Sequence, residues 1–174
     1  MLLLLYAALA AGTVILQLVF GDPISDLFLR APLPHFPALD LGLGVALGLL
    51  VVLLGRLLDR IGPSARLNRF LRELLSGMQP REALAIAGLG SFAEELLFRG
   101  FLQPHLGLIA TSVIFGAVHY VPRRNDLLLW PFAAMLMGLV FGGLALVTGG
   151  ILAPAVAHFT INYFNLHLLL ARET

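Results

Sequence analysis

Residues 90–103 read Gly-Ser-Phe-Ala-Glu-Glu-Leu-Leu-Phe-Arg-Gly-Phe-Leu-Gln, and their interpretation decides the fold. Two adjacent carboxylates and one guanidinium sit inside an otherwise apolar run. Wound as a helix, the run puts Glu95 and Arg99 four residues apart on one face, where they can pair. Glu94 lies about 100° round the helix from Glu95, so Arg99 cannot serve it in the same way. An ionised carboxylate without a partner is costly in a membrane or a dry core. Another element must therefore approach Glu94.

Two segments offer the means. Phe115 to His119 (Phe-Gly-Ala-Val-His) and His158 to Asn162 (His-Phe-Thr-Ile-Asn) are both i, i+4 patterns that bring polar side chains onto apolar segments. Three such constellations imply a site assembled between three buried helices.

The surroundings fit a bilayer. The chain has 174 residues, of which 59% are hydrophobic and 12% charged, and its mean hydropathy is +0.94. A soluble domain is about 45–50% apolar and about 25% charged. The composition therefore implies a multi-pass integral membrane protein, read as a single domain over 1–174. All eleven basic residues are arginines. With no cysteine, disulfides, thiolate metal sites and cysteine nucleophiles are excluded. A net charge of +1 gives no support for nucleic-acid binding.

Along the chain, Met1–Phe20 is long enough to span a bilayer. Ala8-Leu9-Ala10 resembles a signal-peptide cleavage site, but no Lys or Arg precedes the apolar run and the run continues past it, which favours an uncleaved span. A proline-rich, net-acidic loop follows over 21–39. The second span, 40–58, carries Gly44 and Gly48 at the spacing that allows close helix packing. Between Arg56 and Arg81 lie six arginines. Within that segment Leu67, Phe70, Leu71, Leu74 and Leu75 recur at helical spacing, as in an amphipathic helix lying on a membrane surface. Further spans are expected at about 81–103, 106–120, 127–147 and 151–170, with Gln103-Pro104-His105 as a tight connection. The expected fold is thus an all-α polytopic membrane bundle of about six transmembrane helices plus one amphipathic surface helix. Arginine bias puts the Arg56–Arg81 segment and both termini in the cytoplasm.

Each candidate site residue also has an ordinary reading. Glu95 with Arg99 suits a structural ion pair. His119 suits an interfacial histidine, and His158 with Asn162 suits interhelical hydrogen bonding worth about 1 kcal/mol. A chemical reading uses all of them: Glu94 and His119 hold and polarise a water, and His158 and Asn162 donate to an oxyanion. Phe115 packs as a wall, while His35, His105 and His167 are ordinary. Glu94, His119 and His158 also match the carboxylate-plus-two-histidine composition of a catalytic zinc set. No His-Glu-x-x-His run accompanies them, and the spacing leaves zinc and no metal both open.

Glu-Glu-x-x-x-Arg at 94–99, Phe-x-x-x-His at 115–119 and His-x-x-x-Asn at 158–162 together resemble one family. It is that of the type II CAAX prenyl proteases and bacteriocin-processing proteins, also called the abortive-infection family. The resemblance covers about residues 78–170. It implies intramembrane endopeptidase activity in a bacterial or archaeal cell membrane, on a peptide or protein substrate that reaches the bilayer. By position, Glu94 would activate water with His119, His158 and Asn162 would stabilise the oxyanion, and Glu95 and Arg99 would support the site. Members are commonly labelled metalloproteases, and a metal-free glutamate mechanism has also been argued. The rival class is a membrane transporter or binding protein whose buried Glu and His handle protons or a cation. Repeated halves and broken helices, usual in transporters, are not visible. Topology offers a direct check: reporters fused after Arg81 and after Thr148 should report opposite sides, and a shared side would refute the arginine-based orientation.

Overall fold

A computed structural model describes residues 2–20, 37–59 and 65–170. Seven α-helices appear among them: α1 (Leu2–Phe20), α2 (Pro37–Asp59), α3 (Ala65–Leu75), α4 (Pro80–Glu95), α5 (Gln103–Val118), α6 (Leu129–Thr148) and α7 (Leu152–Leu170). A π-helical segment, Leu96–Leu102, joins α4 to α5, and a 3-10 turn, Asn125–Leu127, precedes α6. No strand occurs among the described residues. The proline-rich loop lies largely outside the described residues, as does His35.

Four helical stretches are long and apolar enough to cross a membrane: Leu2–Phe20, Pro37–Leu58, Pro80–Val118 and Asn125–Thr148. Their outer faces are bare leucine, valine and phenylalanine. Leu4, Leu50, Leu53, Phe132 and Val147 are all at least half exposed. In water such a surface would aggregate, whereas in lipid it is the ordinary exterior. α7 is not among those four stretches. His158, Asn162, Asn165 and His167 lower its hydropathy, and it packs against α2, α4 and α6.

The 39-residue stretch Pro80–Val118 is two helices folded back on each other. A straight helix would hold Phe98 and Phe115 about 25 Å apart, yet their ring centroids are 4.8 Å apart. The reversal happens at Gly107, whose φ of 79° and ψ of 168° break the helix in a region that glycine enters without steric cost. This moves the expected connection. Gln103, Pro104 and His105 are helical, with Pro104 in the first turn, where its missing N–H is harmless. Counted from Gly107, Glu94 lies about 20 Å up one arm and His119 about 18 Å up the other. The hairpin thus brings the two motifs level.

Close contacts hold the other helices. A Cβ at Gly44 would meet the Ala153 carbonyl oxygen at 2.6 Å, and one at Gly48 would meet Thr160 Cβ at 2.6 Å. The Gly44/Gly48 stripe is therefore the face on which α2 rests against α7. Gly116, Gly138 and Gly142 do the same between α5 and α6, meeting Met135, Ser112 and Leu108 respectively. The amphipathic α3 half-buries Leu67, Phe70 and Leu71, buries Leu75 and exposes Arg66, Arg69 and Glu73. Phe70 reaches Trp130 at 6.2 Å, which ties the surface helix to the start of α6.

Gly48→Ala should lower the unfolding midpoint in detergent, by about 1–3 kcal/mol of overpacking. Gly55→Ala, with nothing within 4 Å of the added carbon, is the control and should not lower it. Equal midpoints for Gly48→Ala and the parent would refute the α2–α7 packing.

Candidate active site

Glu95 ends α4 fully buried, 0% exposed. Its Oε1 accepts a hydrogen bond from Arg99 Nη1 at 3.2 Å and another from His158 Nδ1 at 2.8 Å. Arg99 Nε lies 3.1 Å from Glu95 Oε2. The expected Glu95–Arg99 pair is thus not self-contained, because α7 delivers a histidine to the same carboxylate. Arg99 Nη2 also donates to the Gly138 carbonyl at 3.1 Å, and Gln103 Nε2 donates to the Gly142 carbonyl at 3.0 Å. These two rungs fasten the π-helical segment and the start of α5 to α6.

Aromatic rings enclose the charges. The Arg99 guanidinium carbon sits 4.6 Å from the Phe115 ring centroid and 5.5 Å from that of Phe141. Phe141 stacks on His158 at 5.0 Å. Cation–π contacts of this kind contribute up to about 2 kcal/mol when desolvated. Phe115 is central: it also meets Phe98, His158 at 6.0 Å and His119 at 4.8 Å. It is the wall between the two histidines.

His119 caps the C-terminus of α5, and its Nδ1 donates to the Phe115 carbonyl at 2.7 Å. A carbonyl only accepts, so Nδ1 carries the proton and the neutral ring keeps a free lone pair on Nε2. The same reasoning applies to His158, whose Nδ1 is committed to Glu95. Trp130 packs edge-on against His119 at 5.6 Å. Asn162 Nδ2 donates to Ser91 Oγ at 3.1 Å, and Ser91, one turn before Glu94 and Glu95, is fully buried.

Glu94 differs from its neighbour. It is partly buried, and its Oε2 is buried with no hydrogen-bond partner. No hydrogen bond or ion pair joins it to His119. The phenol end of Tyr6, on α1, lies against Gly90, one helical turn before Glu94. The structure therefore brings Glu95, Arg99, Phe115 and His158 into one cluster. It sets Asn162 beside Ser91 on the same helix as the glutamates and holds His119 against Phe115.

The zinc set was tested against this geometry. Among the described residues no three His, Asp or Glu side chains are grouped so as to hold a metal ion. Glu94, His119 and His158 do not form a three-ligand centre.

Residues 78–164 match the model of the Rce1-like family, type II CAAX prenyl endopeptidases. The chain belongs to this family. It is also similar to YpbD, an uncharacterized protein of Bacillus subtilis (strain 168). The two are 30% identical over 168 residues, covering 92% of this chain and 82% of that protein. No solved structure matches. Family membership makes the protein a membrane endopeptidase, a hydrolase. The matched segment begins just before α4 and ends within α7, so α1, α2 and α3 lie outside it.

Sequence reasoning missed Ser91, Trp130 and Tyr6. Ser91 had a signal, since it shares the glutamate face at i+3 and i+4. So had Tyr6: with Thr13 and Gln17 it forms the polar stripe of an otherwise apolar α1, at spacings of 7 and 4. Thr13 and Gln17 are each 1% exposed. His105 bonds the Phe101 carbonyl at 2.7 Å and His167 stacks on Tyr163, both structural uses.

The two glutamates should separate in a stability measurement. Glu95→Gln leaves Arg99 buried without its counter-charge and should lower stability by about 3–5 kcal/mol. Glu94→Gln should unfold near the parent midpoint. Equal losses from the two substitutions would contradict the cluster.

Proposed function

We propose that the protein hydrolyses a peptide bond of a protein or peptide substrate within the membrane, with Glu94 as the general base. The single observation that carries this reading is the division of labour between adjacent carboxylates. Glu95 is ion-paired with Arg99 and accepts from Arg99 and His158 on Oε1, whereas no cationic side chain pairs with Glu94, whose Oε2 is buried without a hydrogen bond. A carboxylate oxygen free to accept a proton is what water activation requires, and a dry surrounding strengthens its electrostatics. His119 offers the Nε2 lone pair as a second acceptor that orients the water or relays its proton.

The oxyanion falls to α7. One Asn162 N–H is donated to Ser91, which fixes the amide and leaves its second N–H to donate. His158, held through Nδ1, would donate to the oxyanion from Nε2 when the ring carries both protons. Substrates would be chains that present a cleavable segment at the bilayer, and the family description points to those ending in a prenylated C-a-a-X sequence. Orientation follows the arginine bias, with both termini cytoplasmic.

The test uses full-length protein in detergent and quenched-fluorescent peptides ending in C-a-a-X, farnesylated and unmodified. Glu94→Gln should lower turnover by at least about 10²-fold, and Asn162→Ala by about 10²–10³-fold. Parent activity in Glu94→Gln would refute the mechanism. Elemental analysis of the same active sample addresses zinc. Near-unit content, with activity lost to chelator and restored by zinc, would show that hydrolysis depends on a bound ion.

A further inference from the structure

α1, one of three helices outside the family-matched segment, carries a group that the mechanism above leaves unused. α1 is leucine and alanine along most of its length, and its lipid face is exposed, with Leu4 at 77% and Val19 at 74%. Its inward face packs on α4 and on the π-helical segment. Gln17 reaches the Gly100 carbonyl on that segment in a long 3.5 Å contact. One helical region further along the same face, the Tyr6 ring lies over Gly90. A Cβ added at Gly90 would stand 3.0 Å from Tyr6 Cζ and 3.1 Å from Cε2. Only a residue without a side chain lets the phenol end of the ring rest there.

Gly90 is one helical turn before Glu94, so it shares the Glu94 face. A ring whose Cζ touches Gly90 projects its hydroxyl along that face toward the carboxylate. Glu94 is the ionisable group whose charge and polar contact bear on the Tyr6 phenol. A phenol is a donor to a carboxylate, which can only accept when ionised. Serving one lobe of the carboxylate, it would hold the rotamer in which Oε2 stays buried and unpartnered.

We infer that Tyr6 is a positioning residue for the catalytic glutamate: α1 completes the active site by donating a hydrogen bond from its phenol to Glu94, over the gap left by Gly90. Burial alone explains an aromatic ring packed in that gap. It does not explain why the phenol end, rather than the ring edge, lies on the Glu94 face over Gly90. The inference rests on Glu94 being the base, and it predicts an effect on turnover rather than on folding or substrate binding.

The experiment compares four full-length proteins in detergent on one quenched-fluorescent farnesylated C-a-a-X peptide: parent, Tyr6→Phe, Glu94→Gln and the double variant. Tyr6→Phe keeps the ring and removes only the hydroxyl. It should lower kcat about tenfold or more, the loss expected for a hydrogen bond to a charged group. KM and the unfolding midpoint should stay at parent values. In the Glu94→Gln background the same change should have no further effect. Gly90→Ala, which crowds the ring off its seat, should lower kcat in the parent but not in Tyr6→Phe. Parent kcat in Tyr6→Phe, alongside an inactive Glu94→Gln, would overturn the inference and leave the base assignment standing. A loss confined to KM or to the unfolding midpoint would overturn it equally. Parent activity in Glu94→Gln would instead overturn the assignment on which it rests.

Discussion

The Glu95 carboxylate, buried between a guanidinium and an imidazole, is the constraint on which the rest of the bundle depends. A charge placed there without partners would cost several kcal/mol. Arg99 answers it from the same helix and His158 from α7. Arg99 then needs its own acceptors and finds one in the Gly138 carbonyl of α6, with aromatic rings stacked around its remaining surface. One buried anion thus fixes the mutual positions of α4, α6 and α7. It also leaves the neighbouring glutamate without a cation of its own, because Arg99 and His158 both contact Glu95.

Backbone geometry sets the level at which these groups meet. A helix that continued straight past Gln103 would carry His119 far from the glutamates. The positive φ at Gly107 reverses the chain, and the π-helical turn before it widens the helix where Arg99 must lie across to α6. A π-helical segment leaves its carbonyls poorly matched to the i→i−4 pattern, and such segments favour functional sites. Here side chains approach those carbonyls: His105 at Phe101 and, more distantly, Gln17 at Gly100. α1 therefore packs on the glutamate-bearing helix as well as facing lipid.

Much of this was legible in the chain itself. Charges inside apolar runs are rare enough to locate Glu94, Glu95 and Arg99, and i, i+4 spacing located Phe115, His119, His158 and Asn162 on two further helices. Small-residue spacing gave the packing faces at Gly44/Gly48 and Gly138/Gly142, since close approach needs a missing side chain at every turn. Three features stayed hidden for physical reasons. The π-helical register is a backbone choice with no side-chain period of its own. Pro104 suggested a break, yet proline is well placed in a helix's first turn, and the break went to Gly107. The partner of His158 was decided by tertiary packing: only the approach of α7 shows that it meets Glu95. Tyr6 fell between these cases, its signal being a three-residue polar stripe diluted by leucine.

The central claim is that two adjacent glutamates have opposite fates, one locked in an ion cluster and one available for proton transfer. A hydrophobic carbodiimide reads this directly, because it reaches carboxyl groups inside a bilayer and modifies those that can take up a proton. Treating the membrane-embedded protein with it and locating the adduct by mass spectrometry distinguishes Glu94 from Glu95 within one peptide. The account predicts modification at Glu94, in step with loss of peptidase activity, and none at Glu95. Modification of Glu95, or of both residues at equal rates, would contradict it.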